Sequence, residues 1–381
     1  MEVPLINLST DQETRNKLGR AVNKVLDHGK FILGPEVNEL ERNLESFTGT
    51  KHAITCSNGT DALILALLAK GVRPNDFVYV PSFTFSATAE AVAIIGAKPV
   101  FIDVDEKTFN IDLLHLKQSH ELLTKKNIFP KGVISVDIFG QTCSYNEIQD
   151  WITKNEMWLI CDGAQSLGAT YNDTHVGNFG DITTTSFYPT KPLGCYGDGG
   201  CVFTNDDLLF EKIKSLRVHG EGKNKYDNLR VGLNARMDTI QAAILIHKLH
   251  DFTLELSKRR ELSNFYTKHL NESFVKPFII PECNPSWAQY TIKISHNSRD
   301  KVQNTLAKKG ISTCVYYPIP LHMQPAYHEY MNLVGNKLPV SEKIAKCVLS
   351  LPMGCNMEQA EYVCQSLNEL AEVTSSSFEV A

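Results

Sequence analysis

The chain has 381 residues, of which 43% are hydrophobic and 21% are charged, and its formal net charge is -5 at pH 7. A chain of this length holds about two or three domains, or one large and one small domain. The composition is typical of a soluble globular enzyme and excludes the basic surface that a nucleic-acid-binding protein needs.

The N-terminus and the cysteines both favour the cytoplasm. The first residues, MEVPLINLSTDQ, contain no basic region followed by an apolar run, and no apolar stretch is long enough to predict a membrane span. The ten cysteines show no CxxC spacing and no cluster with histidine, which predicts buried free thiols and no metal site. We therefore expect a cytoplasmic protein without nucleic-acid or membrane partners.

In the first part of the chain, strand and helix patterns alternate. A helical pattern, DQETRNKLGRAVNKVLDHG, leads to the turn ILGPEV. The apolar runs HAITCS, DFVYVPS, KPVFIDVD, KGVISVDIF and MWLICDG then predict strands, with helical patterns between them. This βαβ alternation predicts an α/β fold with a mostly parallel central sheet that helices cover on both faces.

The pattern changes from Met237 onward. A long helical stretch that begins there leads to a shorter α+β segment. In this segment AQYTIKI and STCVYY predict strands, whereas SRDKVQNTLAKKG and the stretch from Met357 to about Glu372 predict helices. We place a large domain, with its N-terminal leading segment, at residues 1–250 and a smaller C-terminal α+β domain at residues 251–381.

Ligands of open parallel sheets bind beyond the carboxyl ends of the strands, so we searched the loops that follow the predicted strands. SNGTD brings Gly59 and Thr60 to a helix start, which suits a phosphate group but equally suits capping by Thr60 or Asp61. In PSFTF, Phe85 is either a platform for a planar cofactor or an ordinary core phenylalanine.

Two further loops carry an acid and a lysine. DGAQS places Asp162 directly after an apolar strand, where a carboxylate needs a neutralising partner unless it only caps a helix or turn. SFYPTKPLGCYGDGG holds Lys191 in a turn of prolines and glycines, in an order that differs from a P-loop. A lysine near a carboxylate and a phosphate site is what a Schiff base with pyridoxal phosphate requires, although an exposed loop lysine is the common alternative.

These segments, in this order and together with RVGLNARMDTIQAA and YYPIPLHMQPAY, resemble the DegT/StrS-type nucleotide-sugar aminotransferases over nearly the whole chain. Members of that family are pyridoxal-phosphate enzymes of fold type I, the aspartate-aminotransferase fold. The resemblance implies that Lys191 binds the cofactor covalently and that Asp162 pairs with its ring nitrogen. It also implies a homodimer with active sites at the interface. The remaining implied cofactor contacts are Gly59, Thr60, Phe85, Gln165, Ser186 and, from a second subunit, Asn234.

The resemblance further implies a reaction in which L-glutamate donates an amino group to a keto sugar nucleotide, in amino-sugar or polysaccharide biosynthesis. The segments around Lys191 and YYPIPLHMQP are most similar to enzymes that aminate C3 of a UDP-linked sugar, particularly 3-keto-N-acetylglucosaminuronate. In that branch Arg236 and a His-Tyr pair contact the sugar acid, whereas this chain has Tyr316 and Tyr317. A neutral 3-keto sugar therefore stays open. Tyr316, Tyr317 and His322 are candidate substrate contacts, and each is explained equally well as a strand or loop residue.

Four other functions fit parts of this sequence. A 4-keto-sugar aminotransferase remains an alternative, although such enzymes more often carry SFH and GEGG where this chain has Tyr188 and GDGG. A sugar dehydratase of the same fold has histidine in place of Lys191. A non-catalytic regulator that binds pyridoxal phosphate does not need Lys191, Asp162 and Gln165 together, so the presence of all three argues against this function. A nicotinamide-dependent oxidoreductase needs a GxGxxG after the first strand, which is missing here.

Overall fold

The computed structural model describes residues 1–224, 226–295, 298–330, 333–335 and 337–375. The strands are β1 His52–Cys56, β2 Phe77–Pro81, β3 Lys98–Ile102, β4 Gly132–Val136, β5 Trp158–Asp162, β6 Thr170–Tyr171, β7 Thr174–His175, β8 Ile182–Ser186, β9 Gly200–Thr204, β10 Cys283–Asn284, β11 Tyr290–Lys293 and β12 Val348–Leu351. The helices are α1 Gln12–His28, α2 Pro35–Thr48, α3 Gly59–Ala69, α4 Ala87–Ile94, α5 Leu113–Lys125, α6 Tyr145–Lys154, α7 Asp207–Leu216, α8 Thr239–His250, α9 Phe252–His269, α10 Arg299–Lys308, α11 Pro339–Ile344 and α12 Met357–Ser375, with 3₁₀ turns at Ile138–Gly140, Leu321–Met323 and Pro325–Tyr330.

A seven-stranded sheet forms the centre of the molecule, in the order β1-β9-β8-β5-β4-β2-β3. Strands β3, β2, β4, β5 and β8 pair in parallel, and β9 runs antiparallel between β8 and β1. The predicted α/β fold with a mostly parallel sheet is confirmed, and the five predicted strands are β1 to β5. Because these five strands lie in the core, their sequences are nearly continuous apolar runs.

Helices cover both faces of this sheet and bury its strands. Helix α3, GTDALILALLA, is apolar around most of its circumference because it lies between the sheet and helices α4 and α7. Helix α2 lies over β1, and its Glu41 accepts hydrogen bonds from Thr55 N at 2.9 Å and from Arg217 Nη1 at 2.6 Å. The ion pair of the half-buried Glu41 and the buried Arg217 thus fixes α2 against the strand that leads to α3.

A second core lies around the antiparallel pair β11 and β12. Helices α9, α10 and α12 enclose it, and Val3 from the N-terminus packs into the same cluster. The N-terminal segment reaches this core through a parallel bridge between Val3 and Ile311, and Met353 N donates a hydrogen bond to Leu5 O at 3.0 Å. The N-terminal segment therefore packs against this second core before the chain continues into α1. The boundary at residues 250 and 251 stays a prediction.

Three local predictions differ from the structure. The long helical stretch is two helices, α8 and α9, because Asp251 between them leaves the helical path. STCVYY forms no strand but only a bridge between Cys314 and Ser350, since Pro318 and Pro320 follow and cannot donate to a strand ladder. Helix α2 was predicted only as a turn, although Gly34 and Pro35 are a common helix start.

All ten cysteines are free, and seven of them are buried, which confirms the prediction for those seven. The other three, Cys314, Cys347 and Cys355, are half-buried. No helix among the described residues is sufficiently long and apolar to span a membrane.

Candidate active site

The loops that follow β1, β2, β5 and β8 meet at the carboxyl end of the parallel strands. Asp162 is the last residue of β5 and Ser186 the last residue of β8. Phe85 lies in the loop after β2, and Gly59 begins α3 shortly after β1. The structure thus brings together four of the predicted site residues, as the parallel topology requires.

The start of α3 forms a cradle against β8. Asn58 caps the helix, and its Oδ1 accepts a hydrogen bond from Asp61 N at 2.8 Å, so capping by Thr60 or Asp61 is wrong. The first amides of a helix have no partner inside it, which leaves those of Gly59 and Thr60 for an anion. Gly59 lies so close to Ser186 that an added Cβ would be 2.8 Å from Ser186 Cβ. Only glycine allows this approach, and the cradle suits a phosphate group.

Asp162 is buried, and protein groups hold both of its oxygens. Its Oδ2 accepts a hydrogen bond from Thr88 Oγ1 at 3.2 Å, and its Oδ1 accepts one from Ala164 N at 3.1 Å. Burial raises the pKa of Asp162, although these hydrogen bonds and the charge of Lys191 oppose the shift. A nearby cation would therefore be strongly favoured in this position.

Lys191 faces this carboxylate from the turn after β8. Burial lowers the pKa of Lys191, and the charge of Asp162 acts in the opposite direction. The turn is held by a hydrogen bond from Lys191 N to Tyr188 O at 2.8 Å. Lys191 is half-buried, unlike an ordinary exposed loop lysine.

Phe85 and Gln165 complete the surroundings of the two charged groups. In the loop after β2, the Phe85 side chain is 56% exposed, whereas that of Phe83 is 1% exposed. The phenylalanine of this loop that packs into the core is therefore Phe83. Gln165 is buried, its Oε1 accepts from Phe139 N at 2.6 Å, and its Nε2 donates to Tyr317 Oη at 3.3 Å. The tyrosine ring lies 6.2 Å from that of Phe85 between centroids.

The predicted substrate contacts occupy different environments. Tyr317 lies in the site through its contacts with Gln165 and Phe85, and Tyr316 is adjacent, 5.7 Å away between ring centroids. Arg236 is half-buried, and its Nε is buried without a hydrogen-bond partner among the described residues. Both ring nitrogens of the fully buried His322 face protein groups.

Asn234 lies on an exposed segment next to Ala235. The carbonyl of Ala235 accepts a hydrogen bond from Ser57 N at 3.2 Å, which ties this segment to the loop before the cradle. The role of Asn234 in a second subunit's site stays a prediction.

Sequence reasoning missed a second buried acid behind the site, Asp137 at the end of β4. Its Oδ2 accepts a hydrogen bond from Ser166 Oγ at 2.6 Å, and its Oδ1 accepts from Tyr145 Oη at 2.6 Å and Cys143 N at 2.9 Å. Asp137 N also donates to Asp162 O at 3.1 Å. Burial raises the pKa of Asp137 to about 6, although its three donors lower it. A carboxyl that follows a buried strand was the available signal, since Asp162 was found that way.

We expect Asp137 to make the stability of the fold depend on pH. An acid whose pKa is raised in the folded state stabilises the fold below its ordinary pKa, and this contribution is lost as pH rises through about 6. The unfolding free energy of the wild type, minus that of Asp137→Asn, should therefore fall by about 2 to 3 kcal/mol between pH 4 and pH 7.5. Urea unfolding of both proteins measures this difference, and a value that does not change with pH would contradict the expectation.

Residues 12–368 match the sequence profile of the DegT/DnrJ/EryC1/StrS aminotransferase family. The UDP-2-acetamido-2-deoxy-3-oxo-D-glucuronate aminotransferase of Pseudomonas aeruginosa is 41% identical over 369 residues, which are 96% of this chain and 99% of that protein. A pleiotropic regulatory protein of Geobacillus stearothermophilus is 40% identical over 376 residues, which are 97% of this chain and 98% of that protein.

Solved structures of similar proteins share the whole architecture. A DegT DnrJ EryC1 StrS aminotransferase from Brucella abortus superposes with a TM-score of 0.94 at 39% identity, covering 97% of this chain and 99% of that one. Ntda from Bacillus subtilis, solved with the bound cofactor pmp, has a TM-score of 0.87 at 28% identity and covers 97% of this chain and 85% of that one.

Proposed function

Since this chain belongs to the DegT/DnrJ/EryC1/StrS aminotransferase family, we propose that it moves an amino group from L-glutamate to C3 of a UDP-linked 3-keto sugar, with pyridoxal phosphate as cofactor. The observation that supports this most strongly is the arrangement of Lys191 and Asp162 beside the cradle at Gly59. An amine, a buried acid and an anion site are the three groups that pyridoxal phosphate needs from a protein.

The residues present fit this cofactor. The α3 amides and Ser186 would hold its phosphate, because the approach of Gly59 to Ser186 leaves no side chain in the way. Phe85 offers an exposed ring for stacking, and Gln165 lies one turn after the acid. When bound, pyridoxal phosphate supplies an aldehyde that accepts and returns the amino group and a ring that takes up electrons from the carbon losing its proton.

Asp162 and Lys191 divide the proton chemistry between them. Asp162, which is costly to ionise while buried alone, would be held ionised by a cationic ring nitrogen at its carboxylate. Lys191 with its lowered pKa is neutral in a larger fraction than an ordinary lysine, so its Nζ can accept the proton of the substrate carbon and return it. Thr88 and Ala164 N keep the carboxylate in one orientation throughout.

The choice of acceptor rests on Arg236 and the tyrosines. The relative from Pseudomonas aeruginosa is named for a UDP-linked 3-oxo sugar acid, which supports C3, UDP and a carboxylate on the sugar. Arg236 has a buried Nε without a partner among the described residues, and such a guanidinium suits a carboxylate. Tyr316 and Tyr317 would then contact the sugar hydroxyls.

A homodimer is part of the proposal. Several apolar or aromatic side chains are exposed in the single chain, among them Tyr188, Leu229 and Val231. Covering such a patch is a common reason for association, and Asn234 lies on the same exposed segment as Val231. A second copy would place Asn234 at the phosphate of the facing site. We further propose that the enzyme works in the cytoplasm, in polysaccharide biosynthesis.

A panel of acceptors tests the proposed substrate. We expect amination of UDP-linked 3-keto-N-acetylglucosaminuronate with glutamate, and Arg236→Gln should raise the KM for this acceptor by about 10- to 100-fold because a charge-assisted hydrogen bond is lost. The KM for the neutral 3-keto sugar should not change. Arg260→Gln, on an exposed position of α9, is the matched control. Turnover of 4-keto acceptors only, or an equal effect of Arg236→Gln on both 3-keto sugars, would contradict the assignment.

The name of the Geobacillus relative supports a second candidate, a regulatory protein. A regulator without catalysis needs the fold and the cofactor cradle but not the amine and the acid. The presence of both the half-buried Lys191 and the buried Asp162 favours the enzyme. Cofactor binding without amino transfer to any acceptor of the panel would favour the regulator instead.

A further inference from the structure

A chain of three side chains, of which Ser82 and His322 are buried and Glu342 is half-buried, connects the C-terminal part of the protein to the loop after β2. Ser82 Oγ lies 2.5 Å from His322 Nδ1, and His322 Nε2 lies 3.4 Å from Glu342 Oε1. Ser82 and His322 are 0% and 1% exposed. Substrate therefore has no access to the His322 imidazole. The function of this ring must lie in the protein groups that it contacts.

The directions of these hydrogen bonds follow from the chemistry of the partners. A carboxylate only accepts, so Nε2 carries the hydrogen and donates to Glu342. Nδ1 then accepts from the Ser82 hydroxyl. Burial lowers the pKa of His322, although Glu342 and Asp103 oppose the shift, which agrees with a neutral ring in this tautomer.

Ser82 begins the loop that faces the candidate cofactor site. What we call the 82–88 loop includes the first two residues of α4, and it carries the exposed ring of Phe85. At its end, Thr88 donates to the carboxylate of Asp162 at 3.2 Å, and Thr84 Oγ1 lies 3.3 Å from Thr88 Oγ1. A displacement of Ser82 would therefore reach both the stacking ring and the acid.

The C-terminal part of the chain supports the same loop at other points. Leu321 N donates to Ser82 O at 2.9 Å, and Tyr327 Oη donates to Ser86 O at 3.4 Å. Tyr317 packs against Phe83 and Phe85 at centroid distances of 6.1 and 6.2 Å. His322 differs from these residues because both of its ring nitrogens are held, Nδ1 by Ser82 and Nε2 by Glu342.

We propose that His322 is a positioning residue, which holds the 82–88 loop through Ser82 so that Phe85 and Asp162 are in place for the cofactor. This role differs from the substrate contact predicted from the sequence. The proposal rests on the proposed function only in that pyridoxal phosphate is the group the loop receives. Glu342 fixes the ring that accepts the Ser82 hydrogen bond.

Two substitutions of His322 separate its two hydrogen bonds. In His322→Asn the amide oxygen can take the place of Nδ1 and keep the Ser82 bond, whereas in His322→Gln the amide reaches the place of Nε2 and keeps only the Glu342 bond. We expect the dissociation constant of pyridoxal phosphate, measured by absorbance titration of cofactor-free protein, to rise about 10-fold in His322→Gln and in Ser82→Ala. His322→Asn should stay within about twofold of the wild type.

The melting temperature of each cofactor-free variant provides the second readout. A purely structural histidine would lose stability and cofactor affinity together in both variants, so equal affinities of His322→Asn and His322→Gln would overturn the proposal. His328→Gln, at an exposed position of the same segment, should change neither quantity. Failure of the wild type to transfer amino groups while it binds the cofactor would overturn the proposed function but leave this test intact.

Discussion

Lys191→Ala is expected to lower the rate of amino transfer by a factor of about 10⁴ or more. The substitution removes the only amine that the structure places beside Asp162 among the described residues. Proton transfer by a positioned base contributes about 10² to 10⁴ to the rate, and the loss of the covalent anchor adds to this. The measurement is the steady-state rate of 2-oxoglutarate formation with a saturating keto sugar.

Lys191→Ala should not reduce the stability of the fold. Burial lowers the pKa of Lys191, which means that the folded protein holds this charged group at a cost that alanine removes. The melting temperature of Lys191→Ala should therefore equal or exceed that of the wild type. Lys191→Arg keeps a cation but no usable amine, so we expect it to be inactive as well. Lys117→Ala, at an exposed position of α5, is the matched control. Activity of Lys191→Ala within tenfold of the wild type would remove this residue from its role.

Asp162→Asn is expected to lower the rate by about 10² to 10³, since a preorganised charge at the reacting group is lost. The amide keeps the shape of the side chain and can still bond to Thr88 and Ala164, so the geometry of the loop should persist. Under the proposed function, what changes is the charge that would keep the ring nitrogen of the cofactor protonated.

Two readouts distinguish this electrostatic effect from misfolding. Because burial raises the pKa of Asp162, the neutral amide should leave the free energy of unfolding at pH 7.5 unchanged or increased. The ring nitrogen of the bound cofactor should lose its proton at a lower pH in Asp162→Asn than in the wild type. Absorbance of the cofactor as a function of pH measures this titration. Asp198→Asn, at the exposed acid of the GDGG turn, serves as the control for removing one acidic group. A variant with wild-type rate and an unchanged titration would show that Asp162 does not face the ring.

The sheet could be predicted where burial on both faces leaves an apolar run, as in β1 to β5. Strand β8 has the sequence ITTTS, and its polar threonines hide its central place in the sheet. Similarly, STCVYY has the composition of a strand, but the prolines that follow it and its contacts at the site override that propensity.

Some residues of the candidate site could likewise be predicted from the sequence, and others could not. Asp162 and Lys191 could be singled out because Asp162 ends an apolar strand and Lys191 lies in a turn rich in proline and glycine, and the family resemblance implied their roles. Thr88, Ser82 and His322 act through partners that are 74 and 240 residues away in the sequence, so no local pattern reveals them. Asp137 follows a buried strand, but only its three donors show that it supports the loop of Gln165.

Addition of L-glutamate alone to the protein loaded with pyridoxal phosphate tests the proposed chemistry of Lys191 and Asp162 most directly. The loaded protein should be yellow, and glutamate without any sugar should convert this absorbance to that of the amine form of the cofactor, with release of 2-oxoglutarate. A protein that binds no cofactor, or a yellow protein whose spectrum glutamate leaves unchanged, would contradict the assignment as a transaminase.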